Sequence, residues 1–572
     1  MPTALDHEFV RAVAGAADRL AAPLVAGPGE EPAGVPHRAL ARRVKTLIAA
    51  YRSPDSVLHG SGRAVAAATT HLRALRAAQT ATGLFADGDN VQSPPDSGFT
   101  VNDVCDAHVL AAGAGPELRG VTDALAEIAG AASGSLLTGG VHTPNHRWEL
   151  CAALARLHRS FPDDRLLDRV GEWLAEGVDI DAEGLYSERS ANYAAHVSNP
   201  SLLLLADVLD RADLRDAVER NLAATLDLIR PDGTVETVLS RRQDQNHPFP
   251  LAPYLPHYRL LAIRTGRGDF SRAARLAASG GIEDPDLLAE TLLTPDLCRV
   301  LPEPAAEPLP RGRYITTARL AARASATAHT VVYGGSDVPE HRRIRSGLAC
   351  NPTFMRLFAG EAVLDAVRLS RGFFDLGPFR AADVERPADH RYRLTESLTA
   401  AYYQPLPPDL RRDDAAYRMA DEGRFSAAMS FADRPRDEVS HTTRVEVDLR
   451  EDGADLRIDI SGPRVPWALE LTFRSGGVPE GAVPIGDGRW CLTTGSMTYR
   501  VGDDEIRVEA DVASGEPTAG PDRSDVLRYD PGQDYSVVGG TDATTGNRVY
   551  IGGLGPHTLT VALRAHRSAP AG

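Results

Sequence analysis

The chain is poor in cysteine, in aromatic residues and in net positive charge, and each shortage excludes something. Its five cysteines, Cys105, Cys151, Cys298, Cys350 and Cys491, are widely spaced over 572 residues and none stands in a C-x-x-C pair. That spacing excludes a disulfide framework or structural zinc site and predicts reduced, mostly buried thiols. Lysine and arginine number 62 against 78 aspartates and glutamates, a formal net charge of -16. Such a balance argues against nucleic-acid or anionic-membrane partners, and an acidic ligand would need local arginine clusters. No segment approaches transmembrane length. The first residues, MPTALDHEFVRAVAGAADRLAAPLVAG, place acids among apolar positions and lack the basic start of a signal peptide. A cytoplasmic location is therefore expected. No repeat recurs at a period that names a repeat family.

What is present divides the chain in two. Residues 1–300 read as helix after helix, rich in Ala, Leu and Arg. Leu72 and Leu75 share one helical face, and Leu166, Leu167, Val170, Trp173 and Leu174 form another stripe. Ser201 to Leu209 is apolar on most faces, as in a buried inner helix. A capped helix follows from Leu214 to Ile229, stopped by Pro231-Asp232-Gly233. Helices joined by short turns over this length predict stacked α-hairpins, as a solenoid or a closed toroid. Residues 301–312 carry a proline-rich linker. From 313 to 572 the pattern turns to strands. Thr443 to Leu449 and Leu456 to Ile460 alternate around Glu451-Asp452-Gly453, and Tyr499 to Val501 and Ile506 to Glu509 repeat the plan. Thr558 to Leu563 adds a last strand. This half is expected to be an antiparallel β-sandwich.

Thr143-Pro144-Asn145-His146-Arg147-Trp148-Glu149 is the most informative segment. A hydroxyl followed by proline marks a helix start, and Asn145 and His146 then fall in the first turn, where free N–H groups favour an anion. Glu149 shares a face with His146 and is placed to orient the imidazole. An amide and an imidazole can neutralise a sugar carboxylate. Further on, Tyr193 closes a polar stretch with Ser187, Glu188, Arg189 and Asn192. An arginine near a phenol favours the phenolate, which makes a proton-transfer group of it. Arg241, Arg242 and Gln243 supply forks and an amide suited to carboxylates and sugar hydroxyls. Asp96 lies in a rigid loop, Ser93 to Phe99, that can line a cleft.

The N-H-x-x-E pattern, the polar-flanked tyrosine, the proline linker and the β half together resemble the heparinase II/III-like polysaccharide lyases. The resemblance covers most of the chain in architecture and a few short motifs in residues. It implies an incomplete (α/α) toroid followed by an antiparallel β-sandwich, and β-elimination on a uronic-acid glycan. By that resemblance Asn145 and His146 hold the carboxylate, Tyr193 moves the proton and Glu149 is a supporting acid; the chemistry of the residues themselves adds Glu149, Arg189, Asn192, Arg241, Arg242, Gln243, Arg345 and Asp96 as candidates to bind substrate. The chain departs from the H-x-D-x-x-S-F-like segment of such lyases. Leu348 and Cys350 stand at its His and Asp positions, in Leu348-Ala349-Cys350-Asn351-Pro352-Thr353-Phe354. No metal or cofactor is therefore expected. His341, in a basic cluster with Arg342, Arg343 and Arg345, is the candidate for the missing histidine, with His329 second. The expected partner is an acidic poly- or oligosaccharide, with neither nucleic acid nor membrane, and homodimerisation stays open. Two other classes compete. A glycoside hydrolase on the same helical scaffold needs two carboxylates across the bond, with Asp96, Asp103 and Glu236 as candidates. A non-catalytic glycan-binding protein needs aromatic platforms, against which stands an aromatic content of 6%.

Overall fold

The computed structural model describes residues 4–27, 32, 34–86, 91–345, 347–414, 416–420, 429–511, 529 and 544–567. The chain forms two compact units. One comprises Met1–Leu226 and Pro250–Glu307, the other Asp227–Phe249 and Pro308–Gly572.

The first unit holds thirteen helices among the described residues: α1 (His7–Ala26), α2 (His37–Arg52), α3 (Gly62–Ala78), α4 (Pro94–Ala111), α5 (Arg119–Thr138), α6 (Pro144–Ser160), α7 (Asp164–Leu174), α8 (Ala191–Tyr193), α9 (Asn199–Leu209), α10 (Ala212–Leu226), α11 (Leu255–Thr265), α12 (Gly268–Ala278) and α13 (Leu287–Leu293). Chain neighbours pair as hairpins, and α2, α4, α6 and α9 also pack side by side in that order. These four are the inner members of an incomplete α/α toroid. Their burial shows it: α4 and α6 bury residues on nearly every face, whereas α7 buries only Leu166 and Val170. The expected inner helix at Ser201 to Leu209 is α9, with Leu202, Leu203 and Leu205 buried.

Proline marks where several of the helices begin. Pro94-Pro95, Pro144, Pro200 and Pro256 occupy the first turns of α4, α6, α9 and α11, where a missing N–H costs nothing. On α4, Ser93 caps by accepting from the Asp96 N–H. On α6, Thr143 is the residue before the helix, as the spacing predicts, but its hydroxyl makes no cap bond; it accepts from Asn145 Nδ2 at 3.3 Å instead.

The second unit opens with residues 227–249, which the sequence pattern had grouped with the helices. Here β1 (Thr234–Val235) forms a small ribbon with β2 (Phe249–Pro250). The main strands are β3 (Arg311–Ile315), β4 (Leu320–Ala324), β5 (His329–Tyr333), β6 (Met355–Ala359), β7 (Ala362–Arg371), β8 (Asp383–Ala388), β9 (Arg391–Tyr403), β10 (Arg436–Arg450), β11 (Gly453–Ser461), β12 (Pro466–Phe473), β13 (Val478–Glu480), β14 (Val483–Gly486), β15 (Arg489–Cys491), β16 (Ser496–Val501), β17 (Asp504–Ala510), β18 (Asn547–Leu554) and β19 (His557–His566). A short helix, α14 (Val338–His341), interrupts them. β3 begins inside the expected linker, at Arg311, and residues to Glu307 belong to the helical unit.

Among the described residues the strands form an eight-stranded sheet, β13-β16-β17-β19-β11-β10-β9-β8, and a nine-stranded sheet, β14-β15-β18-β12-β7-β6-β5-β4-β3. Pairing is antiparallel except between β15 and β18, which run parallel. The two expected hairpins are present, with Val445 opposite Ile458 and Tyr499 opposite Ile506. On β10, Val445, Val447 and Leu449 point inward while Arg444, Glu446 and Asp448 point outward, the period of a sheet with one covered face. The inward residues of both sheets share one core, with Leu357, Val367 and Leu471 from one side and Val447, Ile458 and Leu563 from the other. That is a β-sandwich.

Candidate active site

The first turns of α2, α4 and α6 meet at one end of the helical unit. His37, the first residue of α2, reaches Thr100 Oγ1 at 2.6 Å through Nδ1 and Asp96 Oδ2 at 3.1 Å through Nε2. Arg38 also binds the Asp96 carboxylate, and its guanidinium lies 3.9 Å from the centre of the Phe99 ring. Phe99 in turn meets the His146 ring edge-on at 6.5 Å, and His142 meets His146 at 4.7 Å. The imidazole of His146 thus sits among rings at the start of α6. Asp96 stands in the first turn of α4 rather than in the expected loop, and it is buried and held by both His37 and Arg38.

Asn145 is 1% exposed. Its Nδ2 donates to Glu188 Oε2 at 2.7 Å and lies 3.3 Å from Thr143 Oγ1. The amide orientation follows from this pair, since the flipped form would set its oxygen against the Glu188 carboxylate. Its Oδ1 is buried without a hydrogen-bond partner among the described residues. One N–H therefore holds Glu188, and the other lies on the long Thr143 contact.

Glu188 belongs to the loop that carries the tyrosine, and this loop is tightly tied. Gly184 turns the chain at a φ of +91°, where a Cβ would stand 2.5 Å from the Arg220 carbonyl oxygen. Ser187 Oγ and Trp148 Nε1 both donate to Asp179, at 2.5 and 3.0 Å. Arg189 is in the left-handed region at φ 49°, a conformation that a non-glycine residue keeps only when its surroundings enforce it. Ser190 caps the next turn by accepting from the Tyr193 N–H. Tyr254 donates to the Ala191 carbonyl at 3.0 Å and pins the same turn from the residue just before α11. Tyr193, Asn192 and Arg189 are half-buried. Immediately beyond, residues 194–198 form a π-helical turn. Pro200 has no N–H to give the regular i→i−4 bond to His196, and the Asn199 N–H bonds Ala194 instead.

Glu149 does not orient His146. It is buried, accepts from Asn102 Nδ2 at 2.5 Å, and is pushed by burial from its ordinary 4.5 up to about 7. Asn102 in turn accepts from Arg156, which forks onto Asp106 at 3.0 Å. Helix periodicity did not show which of two inner helices Glu149 would face.

The remaining sequence candidates lie in the second unit. Arg241 is held by Asp337 through two hydrogen bonds of 2.9 Å. Arg242 is half-buried and Gln243 exposed. The buried amide of that loop is Gln245, which accepts from the N–H groups of Cys350 and Asn351 at 2.8 and 3.0 Å. It thereby fixes the segment in which Leu348 and Cys350 replace His and Asp. His341 ends α14 on the surface, and Arg345 is exposed. His329 is buried in β5 against Phe358 and is pushed down to about 4, burial being the main cause. Its side chain is thus covered within the sandwich unit. Sequence reading passed over His37 and Arg38, and placed Glu188 only in the polar stretch before Tyr193, without a role. His37-Arg38 follows Pro36 just as Asn145-His146 follows Pro144, and this shared signature could have pointed to them.

No protein-family model matches the chain, and no curated protein matches it in sequence. Solved structures do. The chondroitin AC lyase of Streptomyces coelicolor A3, solved in complex with chondroitin sulphate, is similar over 97% of this chain and 80% of its own, at 14% identity and a TM-score of 0.51. A Paenibacillus xanthan lyase is similar over 98% of this chain and 57% of its own, at 10% identity and a TM-score of 0.52. The chain has the fold of these polysaccharide lyases.

Proposed function

We propose that the protein is a polysaccharide lyase that cleaves uronic-acid glycans by β-elimination, of the heparinase II/III-like kind. The observation that carries this reading is the 2.7 Å hydrogen bond from Asn145 to Glu188. It ties the amide–imidazole pair at the start of α6 to the strained loop leading into Tyr193. The toroid-and-sandwich fold shared with two polysaccharide lyases supports the same reading.

In this mechanism Asn145, through its second N–H, and His146 hydrogen-bond the uronate carboxylate and lower the cost of the negative charge that develops there. Tyr193 takes the C5 proton or protonates the departing oxygen. The C5–H pair becomes the C4–C5 double bond as the C4–O bond breaks, the leaving oxygen gains a proton, and no water is consumed. Glu188 positions the Asn145 amide.

The test is incubation with a panel of uronic-acid polysaccharides, following ultraviolet absorbance and reducing ends together. Both should rise in step, and Tyr193→Phe should lose the activity. Reducing ends without absorbance would mean hydrolysis, and neither signal would leave binding alone. The hydrolase reading has little to stand on. Asp96 is bound by His37 and Arg38, and Asp103 by Lys45 at 2.6 Å.

A further inference from the structure

The basic cluster after α14 lies on a cavity of the sandwich unit that the proposed elimination does not use. This cavity, of about 480 Å³, lies between residues 338–344, the stretch 376–382 and the second half of β9. Four arginines line it, Arg342, Arg343, Arg380 and Arg436, against two glutamates, Glu396 and Glu438. Both glutamates are already matched. Glu396 is bound by Arg371 at 2.6 Å, and Glu438 by Arg436 at 2.7 Å. Arg380 is 4% exposed and its Nε donates to the Cys350 carbonyl, so its charge is fixed in the wall. Arg342 and Arg343 are exposed, and neither has a carboxylate partner among the described residues. Arg342 holds a left-handed φ of 53°, which ends α14 and turns the two guanidinium-bearing residues onto the rim.

The opposite wall adds neutral donors and acceptors. β8 pairs with β9 only as far as Thr395. Beyond it, the outer edge of β9 has no strand partner among the described residues, and its backbone lines the cavity together with Ser397 and Thr399, exposed hydroxyls that each also pair with a hydroxyl of β10, Thr442 and Ser440. Leu376 and Pro378 give an apolar patch. Unmatched arginines select an oxyanion, a strand edge and hydroxyls bind ring hydroxyls, and a small apolar face accepts C–H groups.

We propose that this cavity is a second glycan site, which takes a sugar bearing an oxyanion, either a uronate carboxylate or a sulfate ester. It stands on the sandwich's own residues and holds whether or not the helical unit performs elimination. The experiment is hydrogen exchange by mass spectrometry on the full chain, with glucuronate, glucose 6-sulfate, glucose and inorganic sulfate as separate probes. Glucuronate or glucose 6-sulfate should slow exchange in 396–403, and the stronger of the two identifies the group recognised; glucose should not. The exposed double variant Arg342→Glu/Arg343→Glu should weaken that protection at least tenfold, with an unchanged melting temperature and an unchanged response of residues 144–149 and 188–193. Absence of protection at 396–403 with both acidic sugars overturns the proposal. So does protection that survives the double variant, or protection by inorganic sulfate alone. Failure of the lyase assay moves none of these readings.

Discussion

Glu149→Gln is expected to make the helical unit more stable at alkaline pH and to leave it unchanged at acid pH. The buried carboxyl of Glu149 is raised from 4.5 to about 7, so the folded chain binds its proton more tightly than the unfolded chain does. Stability from this group is fully present below pH 4.5 and is lost as pH rises to about 7. The shift corresponds to about 3 kcal/mol at 1.36 kcal/mol per pH unit. Glutamine keeps the acceptor that Asn102 Nδ2 uses at 2.5 Å and never ionises. The variant should therefore match the parent near pH 4.5 and exceed it by on the order of 3 kcal/mol at pH 8. Urea unfolding followed by helical circular dichroism at both pH values measures this, because the helices lie in the first unit. Other buried acids, such as Asp103 at about 6 and Glu290 at about 8, cancel in the comparison. A difference between variant and parent that is the same at both pH values would refute the reasoning.

Gln245→Ala should destabilise the sandwich unit by about 2–4 kcal/mol in denaturant titrations, since it strands the buried N–H groups of Cys350 and Asn351. Glu470→Ala should cost about 3–5 kcal/mol, because Arg368, 2.5 Å away and buried, loses its counter-charge; replacing both by leucine should recover most of the loss. A thiol reagent applied to the native protein should label half-buried Cys298 first. Cys105 and Cys151 should stay silent until unfolding, because burial removes access and pushes both up to about 12; mass spectrometry of the labelled peptides checks the order.

Local pattern carried much of the architecture. The Thr143-Pro144 start of α6, the apolar run of α9 and the alternation on β10, β11, β16 and β17 are short-range signals, and each of these elements stands close to where its pattern placed it. The misplaced pieces depended on partners far along the chain. Thr234 to Val238 reads locally as a strand, and β1 stands there, but nothing local assigns residues 227–249 to the second unit, where Gln245 and Arg241 bind residues roughly a hundred positions later. The parallel pairing of β15 with β18 likewise has no local signature.

By itself, then, the sequence determined the division into a helical and a β half, where several helices and strands lie, which of their faces are apolar, and that an amide, an imidazole and a tyrosine stand in two polar segments of the helical half. Those are properties of neighbours in the chain, set by backbone sterics and hydrophobic period. Only the tertiary structure decided how side chains pair. Glu149 turns to Asn102 and away from His146, Arg241 is given to Asp337, His329 is lost to the core, and Glu188 takes hold of Asn145 across 43 positions. Partner choice depends on which helices and strands come together and on the cost of leaving a buried polar group unmatched, and no spacing along the chain encodes that.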